Sequence, residues 1–577
     1  MNDINTLGEV ISTDVLVIGG GISGLQAGIE AGRKGASTLI VDKGGIGWAG
    51  AVPLTAGICM AIPQERFSEW FDWAVRYNGE FLNNQDWTEM VGNEIYKTVL
   101  NEIEQYNLPF LLQDGKLVLS NRQKYYPTAR YNPAKVLLRL RRVAKKYGVR
   151  MMDKIFIVDL LQRNGRIVGA VGFGLIDGKT YILEAKATII ANGSLMSGGN
   201  KFFTVNTGSG IAMAYRAGAE MMNAEFGPGF GYGFKDGELY KRTNLFLYYE
   251  NALGEMFMGD YSPEFAQALQ GKTKSITEDF SVVVDAMVSE VMAGRGPIYL
   301  DFRKIPPEKK KALAGAVPFK EFEGTRRGSD FLGFFKEKTG IDPFNEKVEV
   351  VVQSTCVGVG PIRVGLGCET SLEGLYAVGD ASQNGSGWIG ARGSGTNSGW
   401  CIPFAIVSGN KGGESAAAYA QAKDKASPEH SSVKKTVNRM LAPLGRKGSV
   451  EYGEVHYQIQ EAIVPVKYSM IREAGRLKEA LKKIEAARER LPHVGANDHH
   501  ELAYYFQAES MATVAMLNMT AASLRQESRG NHRREDFPER DDKKWLKWIV
   551  IRNDDGKDRI SYEPVPLEKY KVKPESK

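Results

Sequence analysis

Three glycines, Gly19, Gly21 and Gly24, follow directly on an apolar run of Val15, Leu16, Val17 and Ile18. A G-x-G-x-x-G spacing after a strand can hold a pyrophosphate. Gly19 permits the tight strand-to-helix turn, Gly21 lets the backbone approach the phosphates, and Gly24 lets helix and strand pack closely. The helix that follows presents free N–H groups and the positive end of its dipole to the anion. A second apolar run at residues 39–41 ends in Asp42, placed to accept hydrogen bonds from an adenosine ribose, and Lys43 joins the same set. A ligand-free glycine turn would not need the strand before it, the helix after it and the acid beyond. Residues 13–42 therefore read as the βαβ opening of a dinucleotide-binding domain.

Other elements must bring further groups to that site. Residues 46–62 (IGWAGAVPLTAGICMAI) are rich in glycine and alanine, so the backbone can run flat against a planar ring; Ala49, Gly50, Thr55, Ala56 and Gly57 are the candidates. Residues 187–191 (ATIIA) read as another buried parallel strand, delivering Ala191, Asn192 and Gly193 to a turn beside the nucleotide. Residues 65–107 have helical spacing, with Trp70, Phe71, Trp73 and Trp87 as core. A basic helix is expected over 133–147, and a strand–turn–strand over 151–170 with Asn164-Gly165 as the turn. Residues 457–490 read as helical, with Leu477, Leu481, Ile484 and Ala487 on one face. The polar tail from 561, with Pro564, Pro566 and Pro574, is expected to wrap a surface.

The 577 residues suffice for two to four domains. Composition is that of an ordinary globular chain, 43% hydrophobic and 25% charged. A net charge of +6 spread over 74 basic and 68 acidic residues argues neither for nucleic acid nor for a membrane surface as partner. No apolar run reaches the ~18 residues of a membrane span, and the first residues lack a signal peptide's pattern, so a soluble, cytoplasmic protein is expected. The four cysteines, Cys59, Cys356, Cys368 and Cys401, form no C-x-x-C pair, so any iron–sulfur cluster is expected on another subunit.

Three further stretches, with the βαβ unit, carry a resemblance. They are residues 207–226 (TGSGIAMAYRAGAEMMNAEF), 374–398 (GLYAVGDASQNGSGWIGARGSGTNS) and 527–545 (ESRGNHRREDFPERDDKKW). In this order the chain resembles the flavoprotein family of succinate dehydrogenase, fumarate reductase, L-aspartate oxidase and adenylylsulfate reductase. The resemblance implies an α/β fold: a Rossmann-like FAD-binding domain in two pieces (1–235 and 350–430), an inserted α+β capping domain (236–349), and a C-terminal helical domain and tail (431–577). It adds Thr207, Gly208, Gly210, Gly379, Asp380, Ser394, Thr396, Asn397 and Ser398 to the FAD contacts. Asp380 falls where family members bond the ribityl chain, and the helix after Ser398 can stabilise negative charge on a reduced flavin.

The chain also departs from the family. Where succinate dehydrogenase bonds a histidine covalently to FAD, near Gly50, only small or apolar residues stand, which predicts non-covalent FAD. The dicarboxylate enzymes grip their substrate with two histidines and two arginines, yet no histidine precedes His430. Cys356 takes one histidine position, the region of Trp388 and Ile389 lacks the other, Phe280 stands at the proton-delivering arginine, and Arg392 is displaced by one residue. Succinate or fumarate is thus not the expected substrate. The candidates for catalysis are Arg242 and Arg392 for an anionic group, Tyr232 and Tyr249 as proton donors, and Cys356 as a thiol. The charge-dense motif at 527–545 reads as a network tying the helical domain to the flavin domain.

These readings converge on an FAD-dependent oxidoreductase subunit moving a hydride between flavin N5 and a small, anionic organic substrate, with electrons exchanged with a ferredoxin-like iron–sulfur subunit. The alternatives are adenylylsulfate-reductase-like chemistry, towards which residues 47–58 lean, and an electron-transfer subunit with no organic substrate of its own.

Overall fold

The computed structural model describes residues 3–55, 57–121, 125–196, 206–226, 229–235, 246–272, 280–307, 336, 337, 339–342, 344–356, 360–383 and 400–575. Its first half is built on one sheet. Strands β1 (Glu9–Ile18), β2 (Thr38–Asp42), β3 (Arg150–Asp153), β4 (Ile155–Arg163), β5 (Arg166–Gly174) and β6 (Thr180–Ile190) lie in the order β3-β2-β1-β6-β5-β4. The strand after the large insertion, Leu375–Ala377, returns to pair with β6. Pairing is parallel from β3 through β2 and β1 to β6, with Val17 opposite both Ile40 and Ile189. The hairpins β4–β5 and β5–β6 are antiparallel. Asn164 and Gly165, with φ of 53° and 79°, make the expected turn.

Continuous apolar runs in β1, β2 and β6 follow from burial on both faces. Helix α1 (Ile22–Arg33) covers the sheet and packs along helix α3 (Cys401–Ala422), whose Gly409 and Gly413 meet the α1 backbone at Ser23 and Ala27. The region over 65–107 is helical as its spacing predicts, but in separate stretches. Phe67–Trp73 runs through a wider turn, Ala74–Asn78, and the chain then reverses at Glu80 and Phe81, with φ of 47° and 64°, before α2 (Gln85–Tyr106). The side chain of Asn84 caps the new start by accepting from Trp87 N–H. The basic helix Pro133–Lys146 is present, capped by Asn132.

The inserted region has its own core, including Phe246, Leu247, Tyr249, Phe257 and Met258. Its sheet joins β7 (Gly229–Phe234), β8 (Val348–Cys356), Ile298–Leu300 and Tyr249–Glu250, with Gly229 opposite Cys356 and Tyr232 opposite Val352. Beyond α3, helices Tyr452–Ile463, Ala474–Arg490 and α4 (His499–Leu524) pack together. Pro465 and the short strand Ile471–Arg472 interrupt the helix expected over 457–490. Leu477, Ile484 and Ala487 are buried as the spacing predicts. The C-terminal part is not all helical: β9 (Lys547–Asp554) and β10 (Lys557–Pro564) form a hairpin that pairs with Met221–Met222. The signal was present in Asp555-Gly556, a two-residue turn between alternating strands, with φ of 48° and 86°. Beyond it the tail does lie against the body, Gln85 Nε2 donating to the Val572 carbonyl at 2.6 Å.

Candidate cofactor site

The carboxyl ends of four parallel strands meet at one place. Gly19 N–H donates to the Val41 carbonyl, Ala191 N–H to Ile18 and Val378 N–H to Ile190, at 2.8–2.9 Å. In open α/β sheets the crevice beyond such strand ends is where ligands bind.

The three glycines do three different jobs there. Gly19 has φ of +120°, and a Cβ on it would lie 2.5 Å from the Ala191 carbonyl group. A Cβ on Gly24 would come within 1.9 Å of the Gly19 oxygen, so only glycine lets α1 sit this close to β1. Around Gly21, which caps α1, there is nothing within 4 Å of where a Cβ would stand. That open face at a helix N-terminus is the phosphate position.

Asp42 is half-buried at the end of β2, and its carboxylate accepts from Gly20 N–H and Gly44 N–H at 2.6 Å each. These bonds hold the glycine loop and the next turn against one another. Burial lowers the Lys43 ammonium to about 8 against the pull of Asp42, so a phosphate beside it would favour its charged form. Asn192 donates from Nδ2 to Ser209 Oγ at 3.1 Å, at the start of the helix Ser209–Arg216. Its Oδ1 and the Thr207 hydroxyl are buried with no hydrogen-bond partner among the described residues. Such groups are costly to leave unmade, so two polar atoms await a ligand. A Cβ on Gly210 would lie 1.9 Å from Asn192 Oδ1. Gly379 has φ of +61°, donates its N–H to Ser408 Oγ at 3.0 Å and presses on Ser23, while Asp380 follows it half-buried. The donor set, the open glycine and the two unfilled atoms fit a dinucleotide such as FAD.

Sequence reasoning did not reach the support behind the small-residue segment. Tyr131 is fully buried, its N–H donates to the Gly57 carbonyl, and its hydroxyl lies 2.8 Å from Thr55 Oγ1. The strand Thr128–Arg130 pairs with Ile58–Met60, clamping the segment that carries Ala49, Gly50, Thr55 and Gly57. Of the other expected contacts, Ala56, Ser394, Thr396, Asn397 and Ser398 lie outside the described residues, as do Arg242 and Arg392. Tyr232 and Cys356 hold strand positions in β7 and β8, but their side chains lie outside the description. Tyr249 belongs to the buried core of the inserted region.

The motif at 527–545 forms a buried ion network. Arg525 Nε donates to Glu225 Oε1 at 2.6 Å and Nη1 to Glu527 Oε1 at 2.9 Å, all three side chains being fully buried. Arg529 grips Glu527 at 2.7 and 2.8 Å and reaches Asp542. His532 is fixed in one tautomer: Arg472 Nη1 donates to its Nδ1 at 2.5 Å, so Nε2 carries the hydrogen facing the Arg525 carbonyl at 3.2 Å. Burial and the surrounding guanidinium groups hold its pKa well below the ordinary 6.5, so the ring is neutral.

A strand-end cradle for a dinucleotide, an inserted α+β region and a C-terminal helical bundle define an FAD-binding flavoprotein. Comparison with known proteins names the family. Residues 14–398 match the FAD binding domain family, and residues 457–577 match the fumarate reductase flavoprotein C-terminal family. The chain is 28% identical over 569 residues to an uncharacterised FAD-dependent oxidoreductase of Methanocaldococcus jannaschii, covering 94% of this chain and 96% of that one. It is 26% identical over 567 residues to a fumarate reductase (CoM/CoB) subunit of Methanothermobacter marburgensis, covering 92% and 95%. In fold it is similar to FrdA from a mutant E. coli quinol fumarate reductase (TM-score 0.82, 21% identity, 99% of both chains). It is also similar to adenylylsulfate reductase of Archaeoglobus fulgidus (TM-score 0.71, 21% identity, 97% and 96% covered). The chain belongs to the succinate dehydrogenase and fumarate reductase flavoprotein family and is an FAD-dependent oxidoreductase. No helix among the described residues is long and apolar enough to cross a membrane.

Proposed function

We propose that the chain moves a hydride between flavin N5 and a small anionic organic substrate, reducing or forming an activated C=C bond, and that the substrate is neither fumarate nor succinate. The observation that carries this reading is the state of His532. No histidine precedes His430, and the histidine inside a family motif is neutral, buried and hydrogen-bonded at both ring nitrogens. A histidine-based grip on a dicarboxylate has nothing to draw on in those positions.

FAD, when bound, supplies hydride exchange at N5. The chain's own residues hold and orient it: Gly19, Gly21 and Gly24 admit the pyrophosphate, Lys43 lends it charge, and Asn192 and Thr207 offer their unfilled polar atoms. Asp42 braces the loop, and Asp380 would hold the ribityl chain. Ala49, Gly50 and Ala51 carry no nucleophile, which supports non-covalent binding. Arg242 and Arg392 bind the substrate's anionic group, and Tyr232, with Tyr249 and Cys356 as the other candidates, supplies the proton on the face opposite the hydride. Electrons pass to or from a separate iron–sulfur subunit, because the four cysteines of the chain lack cluster spacing.

The test is anaerobic reduction followed by stopped-flow reoxidation with enoate acids, enoyl thioesters, fumarate and adenylylsulfate. Rapid reoxidation by one enoate class is expected. Rapid reoxidation by adenylylsulfate alone, or by an iron–sulfur partner with no organic acceptor active, overturns the reading.

A further inference from the structure

Glu102 is buried on the inner face of α2, at 5% exposure, where that helix meets α1 and α3. Gln26 of α1 donates from Nε2 to its Oε2 at 2.8 Å, and Asn410 of α3 is turned to the same carboxyl. Both partners are neutral amides. Among the described residues no cation hydrogen-bonds Glu102; Arg33 acts on it from a distance and is held by Glu30 at 2.7 and 3.1 Å. Glu30 itself adds a like charge, and Tyr106, one turn along α2, is linked to Tyr147.

The hydrogen-bond balance of this cluster is incomplete in an informative way. Gln26 Oε1 and Asn410 Oδ1 are both buried acceptors with no donor among the described residues. An ionised carboxylate has none to give, whereas a protonated carboxyl supplies one O–H. Isolated buried charge is also disfavoured in its own right. Consistently, burial raises the Glu102 carboxyl to about 7, with Gln26, Asn410 and Arg33 opposing and Glu30 adding.

We propose that Glu102 is a proton-binding site coupled to the cofactor, neutral when FAD is held and weakening FAD binding when it ionises. The coupling runs through position. Gln26 lies five residues past Gly21, about 7 Å along α1 from the end that serves the pyrophosphate. A negative charge at Glu102 therefore stands behind the very helix terminus that attracts the cofactor's phosphates, and opposes it. For like charges on the order of 10 Å apart at an effective dielectric of about 20, the expected loss of affinity is about tenfold.

The test measures FAD dissociation constants by flavin fluorescence on the full-length apoprotein between pH 5.5 and 8. The wild type should bind about tenfold more weakly at the alkaline end. Glu102→Gln should bind as tightly as the wild type does in acid up to the pH at which Lys43 loses its charge. Any weakening near pH 8 shared by both proteins belongs to Lys43. Parallel pH curves for the two proteins, or a flat wild-type curve, overturn the proposal. Should Glu102→Gln fail to fold, Gln26→Arg gives Glu102 a fixed cationic partner and should also flatten the curve; a wild-type curve in that variant overturns it equally. A protonated-carboxyl infrared band lost between pH 5.5 and 8 in the wild type, and absent in Glu102→Gln, reads the proton directly.

Discussion

Glu527 and Glu102 are both carboxylates in the interior, but one is held by cations and the other by amides. Glu527 receives Arg525 at 2.9 Å, Arg529 at 2.7 and 2.8 Å and the Asp541 N–H at 3.0 Å. Glu102 receives Gln26. The first arrangement makes a static brace that joins Glu225, before the inserted region, to α4 and the C-terminal hairpin. The second makes a site whose charge depends on pH. Burial pushes a carboxyl's pKa up, and cationic donors oppose that push more strongly than neutral amides do.

The largest expected effect comes from breaking the brace. Arg525→Ala leaves Glu225 and Glu527 short of a cation in a dry interior, which should remove about 3–5 kcal/mol of stability, read as a lower urea midpoint at unchanged slope. Next is the pH dependence of stability. Glu102 rises from an ordinary 4.5 to about 7 in the fold, so its protonated form is favoured by folding. That contribution is complete below pH 4.5 and is lost as pH climbs through 7, by about 3 kcal/mol. Glu102→Gln should remove this alkaline slope.

His532 leans the other way. Its pKa is depressed well below 6.5, so the fold favours the neutral ring; the contribution stands above pH 6.5 and is lost as the solution is acidified. His532→Leu should flatten the acid limb and, by leaving buried Arg472 with only the Glu225 carbonyl as acceptor, lower stability at pH 7 by about 1–3 kcal/mol. The smallest effect marks the limit of the comparison. Lys34 and Glu414 form a 2.6 Å pair on the surface, both nearly half exposed, and Lys34→Ala should change stability by less than about 1 kcal/mol.

The sequence revealed the cradle more fully than the clusters, for a physical reason. Gly19, Gly21 and Gly24 stand within six residues, and their lack of a side chain reports directly on local steric needs. Glu102, Gln26 and Asn410 are far apart in the chain and meet through the packing of three helices, which spacing cannot show. The charge-dense motif at 527–545 reads as a network, but its partners Glu225 and Arg472 lie outside the motif. The reversal at Glu80 and Phe81 is hidden because the helical spacing on both sides continues across it. The β9–β10 hairpin is legible in Asp555-Gly556, yet its residues fall where the family resemblance implies a helical region and tail. Of the residues expected to handle substrate, Tyr249 lies in the core of the inserted region, where an aromatic ring is as useful for packing as for chemistry.

The most direct test of the functional account is the rate at which fumarate reoxidises the anaerobically reduced protein. With His532 neutral and bonded at both nitrogens, and no histidine before His430, fumarate should reoxidise the flavin no faster than a buffer blank, while an enoate acid does so rapidly. Fast, saturable reoxidation by fumarate would contradict the account, because it would show that the dicarboxylate is gripped and protonated without the histidines on which its exclusion rests.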